Sequence, residues 1–101
     1  MHLIQILLPL FDNEGRRFGP EPYRAIRDEL SDRFGGLTAF SRAPAEGLWR
    51  EGGESHRDDI VVYEVMAERL DEAWWRDYRV RLERLFRQEA IVVRAQTIRL
   101  L

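Results

Sequence analysis

The chain contains no cysteine and no lysine. Without cysteine there can be neither a disulfide nor a thiolate metal site. Without lysine, all 16 cations are arginine. GC-rich coding accounts for that bias, and so does selection for bidentate carboxylate or phosphate contacts. Histidine occurs only at His2 and His56, whereas a metal site normally needs three or four ligands. The run Ser55-His56-Arg57-Asp58-Asp59 has no recognised metal spacing. His56 reads either as a general base or as an exposed loop histidine, and no metal or cofactor is expected. A net charge of −2 offers no electrostatic reason to expect nucleic acid or an anionic membrane as partner. Long apolar runs are also missing. The first one, from Leu3, breaks at Pro9 and ends by Asp12, well short of the about 20 residues that span a bilayer. It lacks a basic n-region in front of it, so it reads as a strand rather than a signal peptide, and a cytoplasmic location is the default expectation.

What is present points to one domain. Of 101 residues, 45 % are apolar and 34 % charged, ordinary for a folded protein with one modest core. The apolar segments alternate in type. Leu3–Phe11 is apolar at nearly every position except Gln5, as in a strand buried on both faces. Asp12-Asn13-Glu14-Gly15 is a turn, and Pro20 and Pro22 suit the first turn of a helix. Tyr23, Ile26, Leu30 and Phe34 recur at helical spacing, and one of Gly35-Gly36 supplies a left-handed cap. Leu37–Arg42 is a weaker, more polar strand of edge type. Ala43–Arg57 is a long connection holding Leu48-Trp49, and Asp59–Ala67 is the third strand.

Asp71 is placed to cap the second helix. That helix carries Leu70, Trp74, Tyr78, Leu82 and Leu85 on one arc, with Trp75 and Phe86 at its margin. Arg76, Arg79, Glu83 and Arg87 lie opposite. Ile91–Leu100 is the last strand. The order βαββαβ predicts an α+β, ferredoxin-like domain with an antiparallel four-stranded sheet, in the order fourth, first, third, second.

Such a sheet has helices on one face only. Its inner strands are nonetheless apolar on both parities: Ile4, Ile6, Leu8 and Leu10 against Leu3, Leu7 and Pro9, and Ile60, Val62 and Met66 against Val61, Tyr63 and Val65. A sheet with one wet face would alternate apolar with polar. The remaining face is therefore expected to meet a second copy about a two-fold axis, because soluble monomers rarely leave so large an apolar patch bare.

Phe34-Gly35-Gly36-Leu37-Thr38 after the first helix, Trp49 in the long connection and the aromatic-rich second helix resemble small bacterial proteins of the dimeric α/β-barrel superfamily. The likeness covers nearly the whole chain in layout and is specific only in those short stretches. It implies a homodimer of two ferredoxin-like protomers forming a barrel, with a small-molecule pocket between sheet and helices. It selects no single activity among the cofactor-free monooxygenases, lactone isomerases and haem-degrading enzymes of that group.

The candidate site has two parts. In the expected strand order Gln5, Glu64, Arg94 and Gln96 share one neighbourhood, and a direct Glu64–Arg94 pair is the economical way to bury two charges. They read either as the floor of a carboxylate or carbonyl site, with Glu64 a proton acceptor, or as a structural ion pair at a dimer interface or a wet strand edge. Trp74, Trp75, Tyr78 and Phe86, with Phe40 and Trp49, read either as a stacking surface for a planar ligand or as core. Arg16-Arg17 either grips an anion near the first helix or is a solvated turn. The arginines of the second helix interleave with acids, and pairs such as Asp77–Arg81 and Glu83–Arg87 are expected as helix support. No aromatic-and-basic run marks an RNA-binding sheet.

Three functions follow as expectations. The first is a homodimer binding a small organic molecule between sheet and helices. The second is a cofactor-free oxygenase- or isomerase-type enzyme with Glu64, Arg94 and Trp74 as first suspects. The third is a non-catalytic assembly domain, using the edge of the second strand or Ile98–Leu101.

Overall fold

The structure, a computed structural model, describes residues 1–42, 50–51, 54–55 and 60–101. Its elements are β1 (His2–Pro9), α1 (Glu21–Phe34), β2 (Thr38–Arg42), β3 (Arg50–Glu51), β4 (Glu54–Ser55), β5 (Ile60–Ala67), α2 (Glu72–Leu85) and β6 (Val93–Thr97). The main sheet has four antiparallel strands in the order β2-β5-β1-β6, with β3 and β4 forming a separate two-stranded ladder. This is the ferredoxin-like α+β plan, with the strand order that the segment pattern predicts. Trp49 and His56, and most of the Ala43–Arg57 connection, lie outside the described residues.

Local chemistry sets the boundaries. Pro20 stands at the start of α1 and Pro22 in its first turn, where a missing N–H loses no helical bond. Gly35 closes the helix at φ 78°, its N–H donating to the Ser31 carbonyl at 2.8 Å. A residue with a Cβ pays a penalty in that left-handed conformation. Asp71 caps α2 by accepting from the Trp74 N–H at 3.1 Å.

Both helices pack on the same face of the sheet. Ile4, Ile6 and Leu8 of β1 and Tyr63 and Val65 of β5 meet Ile26 and Leu30 of α1 and Trp75, Tyr78 and Leu82 of α2, with Phe86 and Ile91 completing the core. The α1 stripe is the expected one. On α2 the buried face is turned from the expected one: Trp75, Tyr78, Leu82 and Phe86 are buried at i, i+3, i+7 and i+11, Trp74 is half-buried, and Leu85 is 51 % exposed. The expected arc is anchored on Leu70, which precedes the Asp71 cap and so does not belong to the helix.

The surface ion pairs also differ. Arg81 reaches across to Glu29 of α1 at 2.6 Å, Arg76 pairs with Glu72 at 3.5 Å, and Glu83 accepts from the Ile91 N–H at 3.1 Å. Asp77 and Arg87 therefore lack the helix pairs expected of them, because their i,i+4 neighbours have found partners elsewhere. Among the described residues no helix is long and apolar enough to cross a membrane.

Candidate functional site

The strand register brings the four polar strand residues onto one face. Gln5 is opposite Glu64 on one side and opposite Arg94 on the other, and Thr38 is opposite Glu64. One row thus crosses all four strands. Gln96 lies one row away, opposite Leu3. Successive strand side chains point to opposite faces. Gln5 stands between buried Ile4 and Ile6, and Glu64 between buried Tyr63 and Val65. The row therefore points away from both helices.

The expected direct Glu64–Arg94 pair is not what forms. β1 lies between β5 and β6, so Gln5 stands between the two charges. Its Nε2 donates to Glu64 Oε1 at 2.6 Å and its Oε1 accepts from Arg94 Nε at 2.7 Å. Only one orientation of the amide serves both partners, so the charges at its two ends fix it. Around the row the face is apolar. Leu3, Leu7 and Ile60 are half-buried, Val62 is buried, and Phe40, Met66 and Val92 are 45 %, 49 % and 51 % exposed.

Trp74 and Tyr78 lie on the other side of the sheet. Trp74 stacks on Tyr78 with ring centroids 4.9 Å apart, Phe34 stacks on Trp75 at 5.3 Å, and the Arg33 guanidinium sits 4.2 Å from the Trp74 ring centroid. These rings form the seam between α1 and α2. The two parts of the candidate site, Gln5, Glu64, Arg94 and Gln96 on one hand and Trp74 and Tyr78 on the other, therefore lie on opposite sides of the sheet, and Trp49 lies outside the described residues. Tyr78 is 2 % exposed and its hydroxyl has no hydrogen-bond partner among the described residues. Burial raises its pKa, with Glu29 adding to the effect. Burial likewise pushes Tyr23 up to about 12, and its hydroxyl donates to the Pro9 carbonyl. His2 is half-buried at the start of β1. Arg16 pairs with Asp12 and Glu14 inside its own turn, which leaves it poorly placed to grip a separate anion.

Among the described residues two hollows flank the edge strand β6, one on each side of the sheet. On the open face a hollow of about 410 Å³ is lined by Leu3, Gln5, Arg94, Ala95 and Gln96. On the helix side an open groove of about 280 Å³ runs between β6 and α2. Ile4, Leu70, Trp75, Val93 and Ala95 form its apolar wall, and Glu72, Arg76 and Arg79 its polar rim. Glu72 is paired with Arg76, while Arg79 has no carboxylate within ion-pair distance among the described residues. The apolar pattern of the sequence places Arg76 and Arg79 opposite the arc of α2 and Trp75 at its margin, and the turned helix is what brings them here.

Comparison of the chain with protein-family models, curated proteins and solved structures finds no match. The functional reading accordingly rests on the geometry of the row and the groove.

Proposed function

We propose that this chain is a cytoplasmic homodimer that binds a small organic anion between sheet and helices, in the groove between β6 and α2. The observation that carries this reading is the pairing of an apolar wall with a cation, Arg79, that has no carboxylate partner among the described residues. Leu70, Val93 and Ala95 offer surface to a hydrocarbon body, over the buried Ile4 and Trp75, and Arg79 offers a planar fork to a carboxylate. A volume of about 280 Å³ suits a small acid rather than a nucleotide-sized ligand. Glu72, the one carboxylate among the described residues that line the groove, is already engaged by Arg76, which supports binding rather than turnover. The homodimer is supported by the apolar open face, over which neither helix lies. It is also the arrangement that the resemblance to dimeric α/β-barrel proteins implies.

Thermal shift with benzoate and isovalerate tests the ligand, with benzamide as the uncharged control and Arg79→Ala alongside. At 100 times its Kd a ligand adds about 2.7 kcal/mol, which at this size is a rise of about 10 °C or more. A rise with the acids, none with benzamide, and its loss in a folded Arg79→Ala is the expected result. Equal shifts from acid and amide, an unchanged shift in Arg79→Ala, or no shift with either acid would overturn the reading.

A further inference from the structure

From the charge order of the row on the open face we infer how two copies meet: the two-fold axis runs parallel to β1, and Glu64 of each protomer pairs with the partner's Arg94. This rests on the homodimer reading above and adds the orientation and the contacts. Along the row the charges run Glu64, Gln5, Arg94, that is negative, neutral, positive. Gln5 uses one oxygen of the carboxylate and the Nε of the guanidinium. Glu64 Oε2 and both terminal nitrogens of Arg94 are left over. Among the described residues neither group has an ion-pair partner in its own chain.

A two-fold that brings one sheet face onto its own copy lies in the plane between the sheets. With the axis along β1, the strands left and right of β1 exchange places across the interface. β5 then lies over the partner's β6, Glu64 lies over the partner's Arg94, and Gln5 lies over the partner's Gln5. Leu3 and Leu7 also meet their own counterparts, so apolar rows face apolar rows. With the axis across the strands, Glu64 faces the partner's Glu64 and Arg94 faces the partner's Arg94. An axis midway places both charges over the rows of the partner's Leu3 or Leu7. Only the first arrangement neutralises what the second sheet desolvates, and a buried charge without a partner is strongly penalised. Sheets stacked about 10 Å apart leave a distance that a glutamate and an arginine from opposite faces can bridge. The natural twist of each sheet turns the strand directions by about 30° without changing which charge meets which.

The experiment is a charge exchange followed by light scattering and sedimentation. The parent protein is measured first. A monomer at all concentrations removes the homodimer reading itself, and this inference with it. Given a parent dimer, Glu64→Arg and Arg94→Glu are each expected to raise the dissociation constant roughly a hundredfold or more, because each sets like charges against one another. Circular dichroism establishes that each variant is folded, and Gln5→Leu serves as a milder probe should either fail. The decisive sample is the equimolar mixture of the two single variants. With the axis along β1, both contacts in the mixed pair are between opposite charges, so a heterodimer forms where neither variant dimerises alone. The double variant restores the homodimer for the same reason. Should the mixture stay monomeric, or should Glu64→Arg alone dimerise as tightly as the parent protein, the axis does not run along β1 and the inference is wrong.

Discussion

Leu85 and Phe86 are adjacent in sequence, and truncating each to alanine tests the rotation of α2 on which the groove depends. Phe86 is fully buried, its ring edge-on to Phe18 at 5.1 Å and tilted against Tyr23 at 5.5 Å. Leu85 is 51 % exposed. Removing a buried phenylalanine costs about 3–5 kcal/mol, a transfer loss plus an unfilled cavity. Domains of this size are stable by only about 5–15 kcal/mol, so Phe86→Ala removes a large fraction of the total. The melting temperature should fall by about 12 °C or more, and the urea midpoint by about 1 M or more. Leu85→Ala should cost less than about 1 kcal/mol, in the range of surface substitutions. Urea unfolding followed by circular dichroism, at one fixed protomer concentration because dimerisation feeds into apparent stability, measures both. A Leu85→Ala cost equal to or above that of Phe86→Ala would mean that α2 is turned by roughly one residue, about 100°, and the core described above would be refuted.

Asp71→Ala removes the acceptor for the Trp74 N–H and should cost about 1 kcal/mol in the same assay; no measurable loss would show that the cap does not form. Tyr78→Phe should be neutral or stabilising by up to about 1 kcal/mol, since it deletes a buried hydroxyl that has no partner among the described residues. A clear destabilisation would reveal a bond to that oxygen. Alkali should weaken the fold. Tyr23 keeps its proton to about 12 in the folded protein against 10.0 unfolded, so above pH 10 the unfolded state holds fewer protons and stability falls as pH rises from about 10 to 12. Tyr63 and Tyr78, both raised by burial, act in the same direction. Urea midpoints between about pH 9 and 11.5 should fall less steeply in Tyr23→Phe than in the parent, and identical slopes would show that Tyr23 is not responsible.

Strand parity made the sheet legible. Gln5 is the one polar residue between Leu3 and Phe11 and Glu64 is likewise flanked by apolar neighbours, so the alternation that buries Ile4, Ile6, Tyr63 and Val65 places both on the opposite face. The strand order then makes Gln5 the relay: any arrangement with β1 between β5 and β6 keeps Glu64 and Arg94 two strands apart, too far for the direct pair that charge economy alone suggests. The short strands Arg50–Glu51 and Glu54–Ser55 carry neither apolar alternation nor β-branched residues, so no pattern announces them.

The groove was hidden for a different reason, and one helix rotation accounts for it. An arc anchored on Leu70 is centred near Trp74 and Leu85, and Arg79 then falls on the far, solvated side. Centred instead on Trp75, Tyr78, Leu82 and Phe86, the buried stripe has Arg79 only about 50° from its middle, one turn beyond Trp75 and at the border between core and solvent. A cation at that border must lie against apolar surface, and here the surface is Trp75, Val93 and Ala95. Core packing and the proposed anion site are thus two consequences of the same rotation. If Leu85→Ala proved the more damaging substitution, Arg79 would swing away from β6 and the groove would lose its cation, so a stability measurement made with no ligand present can remove the binding proposal. The row on the open face is independent of that outcome, because its register depends on β1, β5 and β6 alone.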